Sequence, residues 1–413
     1  VDGTHETPVE QLRIALVLNG GVSLAIWMGG AAHEINRLTR RESHYAQLLS
    51  WVRSEARVDV ISGTSAGGIN GAALAVAQSN GSSLAPGLEV LRDVWVESGS
   101  FAALMRTPYQ DGPPSLLKGD EYFLPQISNA LRRLTTPFDP TPVSEKPIDL
   151  TITTTLLHGV PGTTVDSVGN RVARMRHDGL FRFRRGPTAP DQQDPFAADR
   201  LLPTGGTLDA LALAARSTAS YPVAFEPSFI SMSGTHELSG VHPPMAEFVS
   251  GAWEDTTPVD RYVIDGGVLA NTPTHPAIEA VGAMPARGEV RRVMLLVHPH
   301  APSPESSEND TTKEPPTLVG LASGVLGALT SQGSRNYAEQ VDAHNRAAGG
   351  RHLLRAEVVA VSPEVLSDQA QQAYHPWYVG IRSRRLARDL AELWLDHVAA
   401  HADSATVDAT FQP

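Results

Sequence analysis

The chain of 413 residues contains no cysteine, so no disulfide braces its fold and no thiolate is on hand as nucleophile or metal ligand. That absence fits either redox compartment. Basic residues are in deficit as well: 33 Lys and Arg face 45 Asp and Glu, a formal charge of -12. Such a balance repels a phosphate backbone and offers no general pull toward an anionic membrane, which argues against nucleic acid as a partner. No apolar run approaches the roughly 20 residues that a spanning helix needs. The most apolar, Leu318 to Leu329, is expected to be a small-residue core helix, with an interfacial or acyl-lining helix as the alternative reading. A soluble chain is therefore expected, cytoplasmic or peripherally attached to a membrane. Metal-site and nucleotide signatures are missing too. His33-Glu34 fails the HExxH pattern because Arg37 takes the second ligand's place, and the Asn19-Gly20-Gly21 segment lacks GxGxxG spacing. Neither a metal nor a cofactor is expected, and internal repeats are absent.

What is present is an apolar fraction of 41%, ample for a large core, and glycine at the ends of several apolar runs. Leu12 to Leu18 (LRIALVL) is a short apolar run that stops at Asn19-Gly20-Gly21, as a buried strand entering a loop does. From Leu24 to Arg40 the residues Leu24, Ile26, Trp27, Ala31, Ile35 and Leu38 recur at helical spacing and predict the buried face of a helix. Arg57 to Ile61 is a second strand running into glycine, and Ala66 to Gln78 a small-residue helix. Strand, glycine loop and helix twice over predict an α/β fold with a parallel sheet.

Further on, residues 84 to 145 read as mostly helical, Ile148 to Leu157 as a strand, and Arg171 to Arg185 as strands around a His-Asp-Gly turn. Leu208 to Ala215 predicts an apolar helix, Tyr262 to Ile264 a strand ending at Asp265-Gly266-Gly267, and Arg292 to Val297 a buried strand. Residues 301–317 are acidic and rich in Ser and Pro, the composition of a mobile loop, and Pro376 to His401 predicts a long amphipathic helix. Residues 1–413 are therefore expected to form a single domain, with a core over about 12–300 and a helical extension over 318–413 packed on it. The chain opens on Val1, with a polar stretch to Gln11 and no apolar signal core, as expected of a start inside a longer precursor.

Chemistry concentrates at Gly63-Thr64-Ser65-Ala66-Gly67, the only GxSxG in the chain. A nucleophile elbow turns from strand to helix so sharply that the positions two before and two after the serine must be glycine or very small. Here a strand precedes and a small-residue helix comes after. A serine also needs a base and donors for the oxyanion that forms on attack. The amides of Gly20, Gly21 and Val22 enter a helix and can supply the donors. Asp265, at a strand end before two glycines, can supply the base, although Asp-Gly-Gly is by itself most often a plain turn. His275 lies ten residues beyond Asp265, so counting does not exclude a triad, but its Thr-Pro-Thr-His-Pro setting reads as a surface turn.

Taken in order, Asn19-Gly20-Gly21, Gly63-Thr64-Ser65-Ala66-Gly67, the segment Ala215 to Pro227 (ARSTASYPVAFEP) and Asp265-Gly266-Gly267 resemble the patatin family of lipid acyl hydrolases over about Leu12 to His300. The resemblance implies a three-layer α/β/α fold with a mainly parallel central sheet and a Ser-Asp dyad without histidine. It makes Ser65 the nucleophile, Asp265 the general base, and Gly20, Gly21 and Val22 the oxyanion donors, with Gly63, Gly67, Gly266 and Gly267 as the glycines that shape the turns. Where the family's loop usually has a basic residue and a further glycine, this chain has Ser23 and Leu24. Tyr221, Pro222 and Phe225 are expected on the acyl side of the pocket, with core packing as the plainer alternative. The implied partner is a lipid or other acyl ester, with peripheral membrane contact. Three alternatives stay open: a transacylase with the same dyad, a lipid-binding module without catalysis, and a GxSxG protease, for which no peptide-binding edge or specificity pocket speaks. Head group, acyl position and oligomeric state are not read from the sequence.

Overall fold

The computed structural model describes residues 10–298 apart from 22–24, 108–113, 141–145, 166–169, 187–192, 202–205, 237–239, 256–258 and 286–289, together with residue 324 and residues 339–350. The predicted loop at 301–317 and the helix from Pro376 to His401 lie outside the described residues, as does the run Leu318 to Leu329 save for Gly324. By contact density the chain divides into two compact units, one of Val1–Val160 and His177–Val341, the other of Pro161–Arg176 and Asp342–Pro413. Within the second, residues 342–350 are helical and Arg346 pairs with Asp342 at 3.3 Å.

The strands are β1 (Glu10–Leu18), β2 (Ser54–Gly63), β3 (Ile148–Val165), β4 (Arg171–Arg185), β5 (Ser228–Ile230), β6 (Thr235–His236), β7 (Gly240–Val241), β8 (Val249–Gly251), β9 (Arg261–Asp265) and β10 (Val290–Val297). The α-helices are α1 (Ala25–Thr39), α2 (His44–Trp51), α3 (Ala66–Ser79), α4 (Glu89–Asp93), α5 (Phe101–Leu104), α6 (Leu124–Leu134), α7 (Ala198–Leu201), α8 (Thr207–Thr218), α9 (Gly267–Ala270) and α10 (Thr274–Ala283). An eight-stranded sheet runs in the order β10-β1-β2-β3-β4-β8, with β9 pairing with both β3 and β5. Neighbours from β10 to β3 are parallel, whereas β4 with β8, β3 with β9 and β5 with β9 are antiparallel. The sheet is mixed and mostly parallel, and helices cover both faces.

Alternation along the strands builds those layers. Ile14, Leu16 and Leu18 of β1 point into the large core under α1, α3, α6 and α8. Ala15 and Val17, with Val60 of β2, point the other way into a small cluster closed by Ala277 and Ala280 of α10. Every residue of α3 is buried. A helix enclosed on all sides can hug the sheet only where its side chains are small. A Cβ at Gly67 would lie 2.3 Å from the Leu18 carbonyl oxygen, and one at Gly63 would lie 2.5 Å from the Gly67 carbonyl oxygen.

Four local expectations are corrected. β4 runs unbroken through His177-Asp178-Gly179 with no turn; Gly179 is there because a Cβ would meet Thr154 at 2.7 Å and Trp253 at 2.8 Å. β10 is not a buried strand but alternates half-buried with exposed residues, as suits its place at the end of the strand order. The buried face of α1 is Ala25, Met28, Gly29, Ala32, Ile35 and Asn36, which leaves Ile26 and Trp27 about half exposed at 51% and 53%. Gly29 admits Asn70 of α3 to close contact, so small residues rather than large ones choose the face. His275 stands not in a turn but in the first turn of α10.

Candidate active site

The site forms where two strands meet head to head along one edge of a third. β2 pairs with β3 in parallel through Val60 to Gly63 opposite Asp149 to Ile152. β9 arrives from the other direction and pairs antiparallel, with Asp265 opposite Thr154 and Val263 opposite Leu156. β4 is the other neighbour of β3 on the main path, so β2 and β9 share an edge and their C-terminal ends face each other across Thr153. Each of these ends runs into a glycine-flanked turn. Those turns carry Ser65 and Asp265.

Ser65 caps α3 with φ 54° and ψ -127°. Positive φ is uncommon for a residue with a side chain and costs on the order of 1–3 kcal/mol. The strained elbow persists because it is held at several points. The Thr64 N–H donates to the Leu18 carbonyl at 3.2 Å. The Thr64 hydroxyl donates to the Ala270 carbonyl at 2.8 Å and shares a 2.6 Å hydrogen bond with Thr153. The Ser65 N–H donates to the Thr218 hydroxyl at 2.8 Å. Thr218 also accepts through its carbonyl from the Gly266 N–H at 3.3 Å, and Ser220 through its carbonyl from the Asp265 N–H at 3.0 Å. The end of α8 thus holds both turns at once.

In that frame the Ser65 hydroxyl donates to Asp265 Oδ2 at 2.7 Å, and the Gly267 N–H donates to Oδ1 at 2.7 Å. Asp265 is 2% exposed and Ser65 6%. Burial pushes the Asp265 carboxyl up to about 7, against the opposing pull of the hydrogen bonds from Ser65 and Gly267. A carboxylate of ordinary acidity is a poor acceptor for an alcohol's proton; one brought near neutrality is matched to that task. Gly266 is required by crowding, since a Cβ there would lie 2.4 Å from the Thr153 carbonyl oxygen.

The glycine loop after β1 reaches the same place. A Cβ at Gly20 would lie 3.3 Å from Ser65 Cβ and 2.2 Å from Asn271 Oδ1. Its amide, however, is committed: the Gly20 N–H donates to the Asn271 carbonyl at 3.1 Å. The expectation that Gly20 donates to an oxyanion is corrected on that ground for this conformation. Gly21 comes next, with no hydrogen bond to its N–H among the described residues, and Val22 lies outside them. At the start of α3 the Gly67 N–H goes to Thr64 and the Gly68 N–H to Ser65. The Ala66 N–H, next after the nucleophile, has no partner among the described residues.

Tyr221 is half-buried beside the dyad, its phenol pushed up by burial and by the Asp265 charge. Pro222 is half-buried next to it. Phe225 takes the plainer of its two expected roles: it stacks on Phe123 with ring centroids 5.7 Å apart and lies under the Arg216 guanidinium at 5.1 Å, packed against the main core. His275 points away, 71% exposed and paired with Glu279 at 3.2 Å. Thr64, Thr153, Thr218 and Asn271 were not singled out by the sequence. Thr218 lies inside the segment Ala215 to Pro227, but its hydroxyl's partner is 153 residues away in the chain.

Comparison with known proteins bears on the family. A family model described as Patatin-like phospholipase matches residues 16–278. An uncharacterized membrane protein of Mycobacterium tuberculosis is 36% identical over an alignment that covers 87% of this chain and 35% of that protein. The chain therefore spans about a third of that relative's length. No described helix is long and apolar enough to cross a membrane.

Proposed function

From the premise that the chain belongs to the patatin-like phospholipase family, a family of lipid hydrolases, we propose that it is a phospholipase A or lysophospholipase-type esterase working through a Ser65–Asp265 dyad and an acyl-enzyme. The observation that carries the proposal is the 2.7 Å hydrogen bond from the Ser65 hydroxyl to a carboxylate that burial has pushed up to about 7.

Asp265 takes the Ser65 proton as Oγ attacks the ester carbonyl, forming a C–O bond and an oxyanion. The Ala66 N–H and the Gly21 N–H are the donors open to receive that charge, with the N-terminal end of α3 behind them. Collapse breaks the ester C–O bond, and the leaving alcohol takes the proton from Asp265. Water then gives a proton to the same carboxylate as it attacks the acyl-enzyme, and the acid departs as Ser65 recovers its proton. Gly267 holds Oδ1 so that Oδ2 faces the hydroxyl.

An apolar substrate is supported by the rim. Ile26 and Trp27 lie just past the glycine loop, Val223 past Tyr221, and Leu269 past Asp265; they are 51%, 53%, 66% and 51% exposed. Large apolar side chains left in water at the starts of α1 and α9 and beside Tyr221 suit an acyl chain or a lipid surface.

The test is a chain-length series of aryl esters and phospholipids, assayed on the wild type and Ser65→Ala, with fluorophosphonate labelling of both. Turnover and labelling of the wild type alone are expected. Labelling absent from wild type would sink the esterase and leave a binding module; acyl transfer to a glycerol-type acceptor in preference to water would make it a transacylase.

A further inference from the structure

A second site is built on the part of the sheet where β4 meets β8. Along β4, Phe181, Phe183 and Arg185 are buried, so Arg182 and Arg184 project together from the other face. Both turn their Nε toward Asp149 of β3, Arg184 at 2.9 Å from Oδ2 and Arg182 at 3.4 Å from Oδ1. Asp149 is 1% exposed, and besides the two arginines its one partner among the described residues is the uncharged Thr151 hydroxyl, which donates to Oδ1 at 3.3 Å. One negative charge faces two positive ones. Because the guanidiniums engage it through Nε, their terminal Nη groups have no hydrogen-bond partner among the described residues.

Both arginines line a cavity of about 160 Å³, whose walls include Gln193, Glu247, Phe248 and Ser250. Glu247 does not neutralise the excess, since it pairs with Arg200 at 2.7 Å. Ser250 is 6% exposed and its hydroxyl is buried without a hydrogen-bond partner among the described residues. A native interior rarely leaves such a group unsatisfied unless something else meets it. A cavity with an unbalanced pair of guanidiniums and a spare hydroxyl matches a tetrahedral oxyanion, which accepts hydrogen bonds from several directions and from the planar fork of arginine above all.

We propose that the cavity bounded by Arg182, Arg184 and Ser250 is a binding site for a phosphate monoester, separate from the dyad. Asp149, which anchors both arginines, stands five residues along β3 from Thr154, the residue opposite Asp265, about 16 Å at about 3.3 Å per residue, and Ser250 stands on β8, beyond β4 and across β3 from β9. The group bound there is therefore not the ester under attack, and the inference stands whether or not Ser65 is a nucleophile.

Calorimetric titration of the full chain with inorganic phosphate, at constant ionic strength, tests the proposal. Saturable binding at one site is expected, weakened at least tenfold by Arg184→Gln and about threefold by Ser250→Ala. Glu247→Gln, which frees Arg200 and removes a negative charge from the wall, should tighten binding several-fold, a gain that misfolding cannot produce. It decides the matter even if Arg184→Gln fails to fold around the unpaired Asp149. Acetate at equal ionic strength should not displace phosphate. Sedimentation with phosphatidic acid vesicles, against phosphatidylcholine controls, separates the sources: capture weakened by Ser250→Ala and strengthened by Glu247→Gln in step with phosphate affinity assigns the phosphate to a lipid headgroup, whereas phosphate binding without capture assigns it to a soluble monoester. Absent saturation, equal competition by acetate, or affinities unchanged in both Ser250→Ala and Glu247→Gln would overturn the proposal.

Discussion

Two carboxylates flank the end of α8, Asp265 buried at 2% exposed and Glu226 largely covered at 13%, and they have opposite fates. Asp265 has two hydrogen-bond donors and no cation among its described partners, and burial pushes it up to about 7. Glu226 is surrounded. Burial would raise it too, but the Ser115 hydroxyl, the Arg216 guanidinium and the Asp120 amide outweigh that and bring it down to about 2. Its Oε1 accepts from the Gly119 and Asp120 amides at 2.9 Å and 2.7 Å, and Arg106 pairs with Oε2 at 3.2 Å. Arg216, fully buried, reaches both Glu226 and Asp120. The lesson is that depth alone does not assign a role. A buried acid rich in donors is a strut, and one nearly without them is a base in waiting.

Activity separates the two most widely. Asp265→Asn should lower kcat/KM for a soluble aryl ester by about a thousandfold or more, since it removes the group that takes the proton while keeping the shape. Glu226→Gln should leave kcat/KM per folded molecule within a few-fold. Equal losses from the two would erase the distinction. The same base predicts an acid limb in kcat/KM with an apparent pKa of about 7, absent from the residual activity of Asp265→Asn.

Stability reverses the order. Breaking the Glu226 cluster leaves Arg216 buried with one fewer partner, a change that costs about 3–5 kcal/mol in fully buried pairs and less here, where Glu226 is 13% exposed and Asp120 remains. It should appear as a lowered urea midpoint at neutral pH. Asp265→Asn should keep or raise that midpoint, because it relieves a buried carboxylate that burial disfavours in its ionised form.

How much of this could be read in the sequence depends on whether the reason for a residue is local. Gly63, Gly67 and Gly266 declare themselves, because a backbone passing within 2.6 Å of where a Cβ would stand excludes every other residue. The strand before each turn is equally plain. The head-to-head meeting of β2 and β9 across Thr153 is not, since it depends on the register of β3 with strands distant from it in sequence. Gly179 shows the ambiguity from the other side: it reads as a turn and proves to be clearance for Trp253 within one strand. Glu226 sits inside the proline-aromatic segment that carries the family resemblance. Nothing near it in sequence announces partners at 106, 115, 119 and 120.

Thr218 joins the compared regions, and its substitution should have a middling effect. Its hydroxyl accepts from the Ser65 N–H while its carbonyl accepts from the Gly266 N–H. Thr218→Val keeps the shape and removes the acceptor, leaving a buried amide unpaired, at about 1–3 kcal/mol. A tenfold fall in kcat is expected with KM little changed, together with rescue by Thr218→Ser. If serine fails to rescue, packing of the methyl group rather than the hydrogen bond is what matters.

The smallest effect is the most diagnostic, because the two carboxylates should bend the stability curve in opposite directions and in different pH windows. Glu226 has its folded pKa depressed from 4.5 to about 2. Its contribution is complete above the unfolded value and is lost as pH falls through that interval. Asp265 has its folded pKa raised from 3.8 to about 7. Its contribution is complete below the unfolded value and is lost as pH rises, so between pH ~6 and ~8 the wild type should lose about 1 kcal/mol that Asp265→Asn does not. Urea midpoints of the two proteins across that range would measure the difference directly. Parallel curves would mean that Asp265 is ionised throughout, and the account of how burial equips it as a base would fail while the hydrogen bond from Ser65 still stood.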